Sequence, residues 1–385
     1  MIEPQARQRS RRRFLLKLIL FVLPFALAFF VLTGFLIYTG EAMPLWLVAR
    51  IQMTDSPVLY RPRYGDRDPE FKMISANLRQ PQVMTLGSSR VLQFRSLFFD
   101  KDPHAFYNAG GPGWTLDQVQ QVLQGLTFTP KVVIIGLDQP WFNDAYVNDS
   151  PVPPPTNDFA NIFMINRSFL QDVVAGQEFD IGHYLKRVEP GHGGLALGLR
   201  AIRDGHGFRN DGSEQYGDFL VAHWLDMPTE RRHHLDMLHA GQDMYVDGDT
   251  VSPSRLQQLN DVLAWCQQRG IFVIGFQPSF MPSLYPQLIG DGQHTYVTKL
   301  DAAIQPIFQK YGDAYFNFAD SSKLGATDDD FFDGWHASEQ INMRLYMQML
   351  KALPDPLGQY SDLSFLQTTD ANVKDTFEVF GNRVS

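Results

Sequence analysis

At 385 residues, 44% hydrophobic and 19% charged, the chain can bury a sizeable core, which excludes intrinsic disorder over most of its length. A single cysteine, Cys266, excludes an intramolecular disulfide framework and any multi-cysteine zinc or iron–sulfur site. The net charge of −9 is uneven, because Arg7, Arg9, Arg11, Arg12, Arg13 and Lys17 stand against Glu3 alone in residues 1–17; the remaining acidic body is not expected to bind nucleic acid.

From Leu18 to Tyr38 the chain runs 21 residues without a charge, about the ~20 a helix needs to cross a bilayer. Ala26-Leu27-Ala28 offers the small-x-small pattern of a cleaved signal peptide. Ten further apolar or neutral residues come after it, however, and a signal core is usually about 7–15 residues. An uncleaved anchor is therefore expected. The preceding arginines keep 1–17 in the cytoplasm and place the chain from Thr39 onward outside the inner (cytoplasmic) membrane, in the periplasm or another extracytoplasmic space. Residues 39–80 read as a juxtamembrane linker, with 41–51 a short amphipathic helix at the membrane surface.

Beyond it, apolar strand-like runs alternate with helical patterns. Val83–Leu86, Lys131–Gly136, Ile271–Phe276 and Ala314–Phe318 read as strands. Leu116–Leu126, Leu256–Arg269, Val297–Tyr311 and Ser338–Leu353 read as helices. Such alternation implies an α/β domain over 81–146 and 252–353, with a parallel sheet and helices on both faces. The rhythm breaks between 147 and 251, which opens on Pro151, Pro153, Pro154 and Pro155 and reads as a mostly helical insertion. The tail, 354–385, shows no strong pattern.

Three segments fall just beyond strand ends or before the closing helix, where such sheets place ligands. Gly87-Ser88-Ser89-Arg90 puts a hydroxyl at a strand-to-helix turn, although serine is also an ordinary helix cap. Asn108-Ala109-Gly110-Gly111-Pro112-Gly113 is a glycine-rich loop whose N–H groups can approach an oxyanion, or simply turn the chain. Asp333-Gly334-Trp335-His336 spaces a carboxylate three residues from an imidazole, so that Asp333 can orient His336 and His336 can take a proton from a serine.

Together these segments resemble the SGNH (GDSL-like) hydrolase and acyltransferase superfamily, in order and in position. The resemblance implies a flavodoxin-like three-layer fold, with Ser89 as nucleophile, His336 as base and Asp333 as its orienting acid. It implies an oxyanion hole from the N–H groups of Ser89 and Gly110, with Asn108 of the same block binding substrate. The superfamily's third block, Gly-x-Asn, is here Gly136-Leu137-Asp138, and an ionised carboxylate accepts hydrogen bonds but cannot donate them. Two donors suffice, Asp138 is protonated, Gln139 or Asn143 substitutes, or the site is degenerate. Asp138→Asn is expected on this reading to raise hydrolysis.

The single anchor and the Gly-Ser-Ser start resemble the membrane-anchored proteins of cell-envelope acylation, those of teichoic acid D-alanylation and alginate O-acetylation. That likeness implies an O-acyltransferase or esterase acting on an exported polysaccharide, beside a multi-pass membrane acyltransferase. A catalytically weak accessory subunit that binds glycan or scaffolds such a complex is the rival. Arg90 either binds an anionic acceptor or makes a local salt bridge. Trp114, Trp141 and Trp335 either line a sugar cleft or belong to the core. His233, His234 and His239 read as a polar helix face, Asp328–Asp330 as a solvated loop, and Cys266 as a core residue. No metal or other cofactor is expected.

Overall fold

A computed structural model describes residues 4–65, 67–146, 158–177, 179–217 and 226–381. The proline-rich opening of the insertion and the last four residues of the tail lie outside them. The fold is α/β, with two sheets among the described residues.

The larger sheet holds β2 (Val83–Leu86), β3 (Phe106–Asn108), β4 (Val132–Gly136), β8 (Phe272–Gln277) and β9 (Ala314–Asn317). Every pairing in it is parallel, and the order is β3-β2-β4-β8-β9. Counted within this sheet alone that order is 2-1-3-4-5, so the connections after β2 and β4 leave in opposite directions and open a crevice at their C-terminal ends. Successive side chains of β4 enter different cores. Val133 and Ile135 pack with helices α4 (Leu116–Gln124), α9 (Pro253–Gln267) and α10 (Thr295–Tyr311), while Val132 and Ile134 pack with α11 (Glu339–Ala352). A strand covered on both faces must be apolar at every position, as Val-Val-Ile-Ile is.

The smaller sheet is mixed in direction. Strand β1 (Val58–Tyr60) comes from the segment read as a linker, and β5 (Leu195–Leu197), β6 (His206–Phe208) and β7 (Glu214–Tyr216) from the insertion. Their order is β5-β1-β6-β7. Residues 39–80 are therefore structural. Glu41 is buried and accepts hydrogen bonds from the N–H groups of Arg63 (2.8 Å), Tyr64 (2.7 Å) and Leu199 (2.9 Å). Helix α2 (Leu45–Ile51), expected on the membrane surface, buries Leu45, Val48 and Ala49 in the core beneath β1 and leaves Trp46 exposed. Helix α3 (Asp68–Arg79) adds Phe71 to the same core.

The insertion contains helices α5 (Asp158–Val174), α6 (Ile181–Lys186), α7 (Leu199–Asp204) and α8 (Met227–His239) besides its three strands. The tail carries α12 (Leu363–Ala371), and its Leu357, Tyr360, Leu366 and Phe380 complete the core beside α11. Helix α1 (Pro4–Tyr38) includes the 28-residue segment Arg11–Tyr38, which opens on basic residues and is by length and composition long and apolar enough to cross a membrane.

Candidate active site

The connection after β2 turns sharply. Gly87 has φ +148°, and a Cβ there would lie 2.9 Å from Val91 Cγ1, so a side chain at this position would block the turn. The Ser88 hydroxyl accepts from Arg90 N–H (3.2 Å) and caps the single 3-10 turn Ser89–Val91, leaving Ser89 half-buried at the crevice. Here the capping and nucleophile readings separate: Ser88 caps, Ser89 does not.

The Asp333–His336 loop meets Ser89 from the other side. A bridge between Phe331 and Ala337 pins its ends, and Arg231 of α8 donates to Phe331 O (2.6 Å). Asp333 Oδ1 accepts the N–H groups of Trp335 (2.7 Å) and His336 (2.6 Å), which folds the loop back on itself. Asp333 Oδ2 then lies 2.7 Å from His336 Nδ1, and His336 Nε2 lies 2.7 Å from Ser89 Oγ. Burial opposes charge on Asp333, but His336 and its hydrogen bonds win and hold the carboxyl at about 2. An ionised Asp333 can only accept, so His336 donates from Nδ1 and presents a lone pair on Nε2 to the serine hydroxyl. Phe332 stacks on the imidazole at 4.8 Å between centroids, with the rings 6° from parallel.

The remaining expected site residues are buried supports. Asn108 is fully buried; its Nδ2 donates to Val91 O (2.8 Å) and Phe94 O (3.0 Å), tying the glycine loop to the chain after Ser89. Its Oδ1 accepts from Gly110 N–H (3.1 Å), so the expected oxyanion donor is engaged by Asn108. Asn108 therefore offers nothing to a substrate. Trp114 and Trp335, 3% and 6% exposed, belong with Trp141 to the apolar core, which removes them as walls of a sugar cleft.

Arg90 is buried as well, with its guanidinium over the Trp335 ring at 3.9 Å. It donates to Gln139 Oε1 (2.7 Å) and Ser279 O, and sits 3.7 Å from Asp138 Oδ1. It makes a local salt bridge and does not face an acceptor. Burial lowers the Arg90 pKa to about 10, against the pull of Asp138. Burial likewise pushes the Asp138 carboxyl above its usual range, opposed by Arg90 and by a hydrogen bond from Ser88. A carboxylate at Asp138 thus has a cation beside it.

His234, read as part of a polar helix face, is buried behind the loop. Its Nδ1 lies 2.9 Å from Tyr245 Oη and its Nε2 lies 3.6 Å from Asp333 Oδ2. Tyr216 of β7 reaches the same place: its ring is 6.4 Å from that of His336 and its hydroxyl 3.5 Å from Ser89 O. Neither residue belongs to a motif, and only the doublet His233-His234 marked the first of them.

No family model and no curated protein matches the chain.

Proposed function

We propose that the protein is an exported, membrane-anchored serine O-acyltransferase or esterase with a flavodoxin-like SGNH architecture, acting on an envelope or exported polysaccharide through an acyl-serine intermediate. The observation that carries this reading is the continuous chain Ser89 Oγ–His336 Nε2 and His336 Nδ1–Asp333 Oδ2, 2.7 Å at each link. The 2-1-3-4-5 strand order, with Ser89 at the point where the connections diverge, supports it.

In this chemistry Ser89 Oγ attacks the carbonyl of an acyl donor while its proton passes to His336 Nε2. The leaving group takes that proton as the donor's acyl bond breaks. A sugar hydroxyl, or water, then gives its proton to His336 and attacks the acyl-serine, and Ser89 recovers the proton. Asp333 keeps its charge throughout and stabilises the imidazolium. The donor would come from a multi-pass membrane acyltransferase beside the anchor.

The accessory reading has its own support: Gly110 N–H is already engaged by Asn108, and Asp138 brings no side-chain amide. Losing one oxyanion donor typically costs ~10²–10³ in rate. Treating the full-length protein with a fluorophosphonate and with an activated acetyl ester separates the two. The enzyme reading expects one adduct, on Ser89, absent from Ser89→Ala. A folded protein with neither adduct supports the scaffold.

A further inference from the structure

The anchor does not leave the membrane alone. Helix α5 packs along its last turns: Thr33 Oγ1 donates to Asn166 Oδ1 (3.3 Å), and the Phe35 and Phe169 rings lie 5.9 Å apart. One side of α5 buries Ile165 and Phe169 in the core around Leu36. Its other side is also apolar, and open: Phe163 is 58% exposed, Leu170 50% and Val174 87%. These three line a hollow that reaches Phe29 of α1. Soluble proteins rarely leave such a surface in water.

Depth along the anchor decides what covers it. Phe29 precedes Tyr38 by nine residues, about 14 Å at the α-helical rise. Tyr38 has the surroundings of an interfacial aromatic, since Arg187 at the end of α6 stacks on its ring at 4.2 Å and donates to its carbonyl at 3.1 Å. Ile181 and Leu185 of α6 are exposed beside it. A surface that begins at Tyr38 and continues to Phe29 lies at the depth where an anchored protein meets hydrocarbon. The α5 contacts at Phe35 and Thr33, three and five residues before Tyr38, lie about 5 and 8 Å deep, within the ~5–10 Å that interfacial helices typically sink. Arg167, on the open side of α5, has a stem long enough to carry its charge to the headgroups.

We propose that α5 and α6 form a second membrane contact, in which the Phe163–Leu170–Val174 face of α5 lies in the outward leaflet against lipid. The domain is then held by the anchor and by a helix beside it, which fixes the height and tilt of the Ser89 crevice over the bilayer. The inference rests on the reading of α1 as a membrane anchor.

The test uses single nitroxide labels on the full-length protein in phosphatidylethanolamine–phosphatidylglycerol liposomes. Cys266 is buried and its thiol is pushed up to about 12, so it stays unlabelled. Labels are placed by Phe163→Cys, Leu170→Cys and Val174→Cys, with Phe25→Cys in the anchor and Gln367→Cys on α12 as references. The α5 labels are expected to collide with oxygen over a water-soluble nickel chelate in a ratio near that of position 25 and several-fold above that of position 367. A water-like ratio on α5 with a lipid-like ratio at 25 overturns the inference and leaves the anchor standing. A water-like ratio at 25 overturns the anchor reading itself. Labels on α5 shielded from both reagents mean that protein covers the helix, which also overturns the lipid contact.

Discussion

The two sheets are held together by different means. The five-stranded sheet is covered by an apolar core on each face, and Ser89, Asp333 and His336 lie on loops at its C-terminal edge. The four-stranded sheet is bound by buried charge: Arg61 pairs with Asp68 at 2.8 Å, His206 Nε2 meets Glu214 at 2.9 Å, and Lys72 donates to Asn108 O (3.1 Å) and to Gly212 O. Arg95 reaches from the chain after Ser89 to Asp211 (3.4 Å) and to Glu339 (3.2 Å). The difference separates tasks. Apolar burial gives the first sheet rigidity without competing for its loops' hydrogen bonds, whereas buried ion pairs give the second a specific docking geometry. The smaller sheet joins α1 and the insertion to the back of the candidate site.

This division is broken most directly at the loop edge. Under the proposed chemistry, Ser89→Ala should abolish acylation by an activated ester and His336→Ala should lower it about 10⁴–10⁶-fold, both with little change in Tm, because neither side chain belongs to a core. Asp333→Asn should cost about 10⁴-fold in the same assay, since an amide that donates to Nδ1 turns the imidazole to the wrong tautomer. Retained acylation in any of the three, measured by burst kinetics, would remove the triad from the mechanism.

Asp211 in the turn between β6 and β7 is the counterpart to Asp333. Both carboxyls are buried, and both are held at about 2, Asp333 by His336 and Asp211 by Arg95 with its hydrogen bonds, in each case against the cost of burial. The usual value is 3.8, so each stabilises the fold by about 2 kcal/mol above that pH, and the contribution disappears as pH falls through about 2. Denaturant titrations at pH 7 and pH 2 should show Asp211→Asn losing that amount at the higher pH and little at the lower, with Ser89 still reactive. Equal loss of acylation in Asp211→Asn and Asp333→Asn would abolish the distinction between the sheets.

The same contrast explains what could be read in the sequence. The strands 132–136 and 272–277 are visible because a strand covered on both faces is an unbroken apolar run. The Ser89, His336 and Asp333 segments are visible because the proposed triad constrains residue type and spacing over a few positions. The smaller sheet was not legible. His206-Gly207-Phe208 and Glu214-Gln215-Tyr216 are three-residue strands without alternation, and β1, which pairs with the first of them, lies more than a hundred residues earlier. Burial of Asn108, Arg90 and Trp335 was equally hidden, because Arg90 buries itself against Trp335 and Asp138, residues far apart in the chain. The tail escaped notice because Leu366 and Phe380 are isolated apolar anchors on the core, not a periodic stripe.

The smallest expected effect lies where the regions touch. Helix α8, from the insertion, packs directly on the Asp333–His336 loop: a Cβ on Gly334 would stand 2.6 Å from His234 Cβ, so the contact needs glycine. His234 is too far from Asp333, at 3.6 Å, for a good hydrogen bond. Its firm partner is Tyr245, so it positions the loop by packing while Asp333 orients His336. Burial lowers the His234 pKa below 6.5, which keeps the ring neutral at pH 7; stability should decline as pH drops below 6.5, because the unfolded chain then binds the proton more readily. His234→Phe keeps the packing, leaves Tyr245 Oη unpartnered and removes that acid-side decline. It should cost about 1 kcal/mol of stability at pH 7. A similar loss in positioning the loop would slow acylation about fivefold. A fall as large as that of Asp333→Asn would make His234 a member of the catalytic set. An unchanged rate, with the acid-side decline gone, would confine it to holding the insertion against the sheet that carries Ser89.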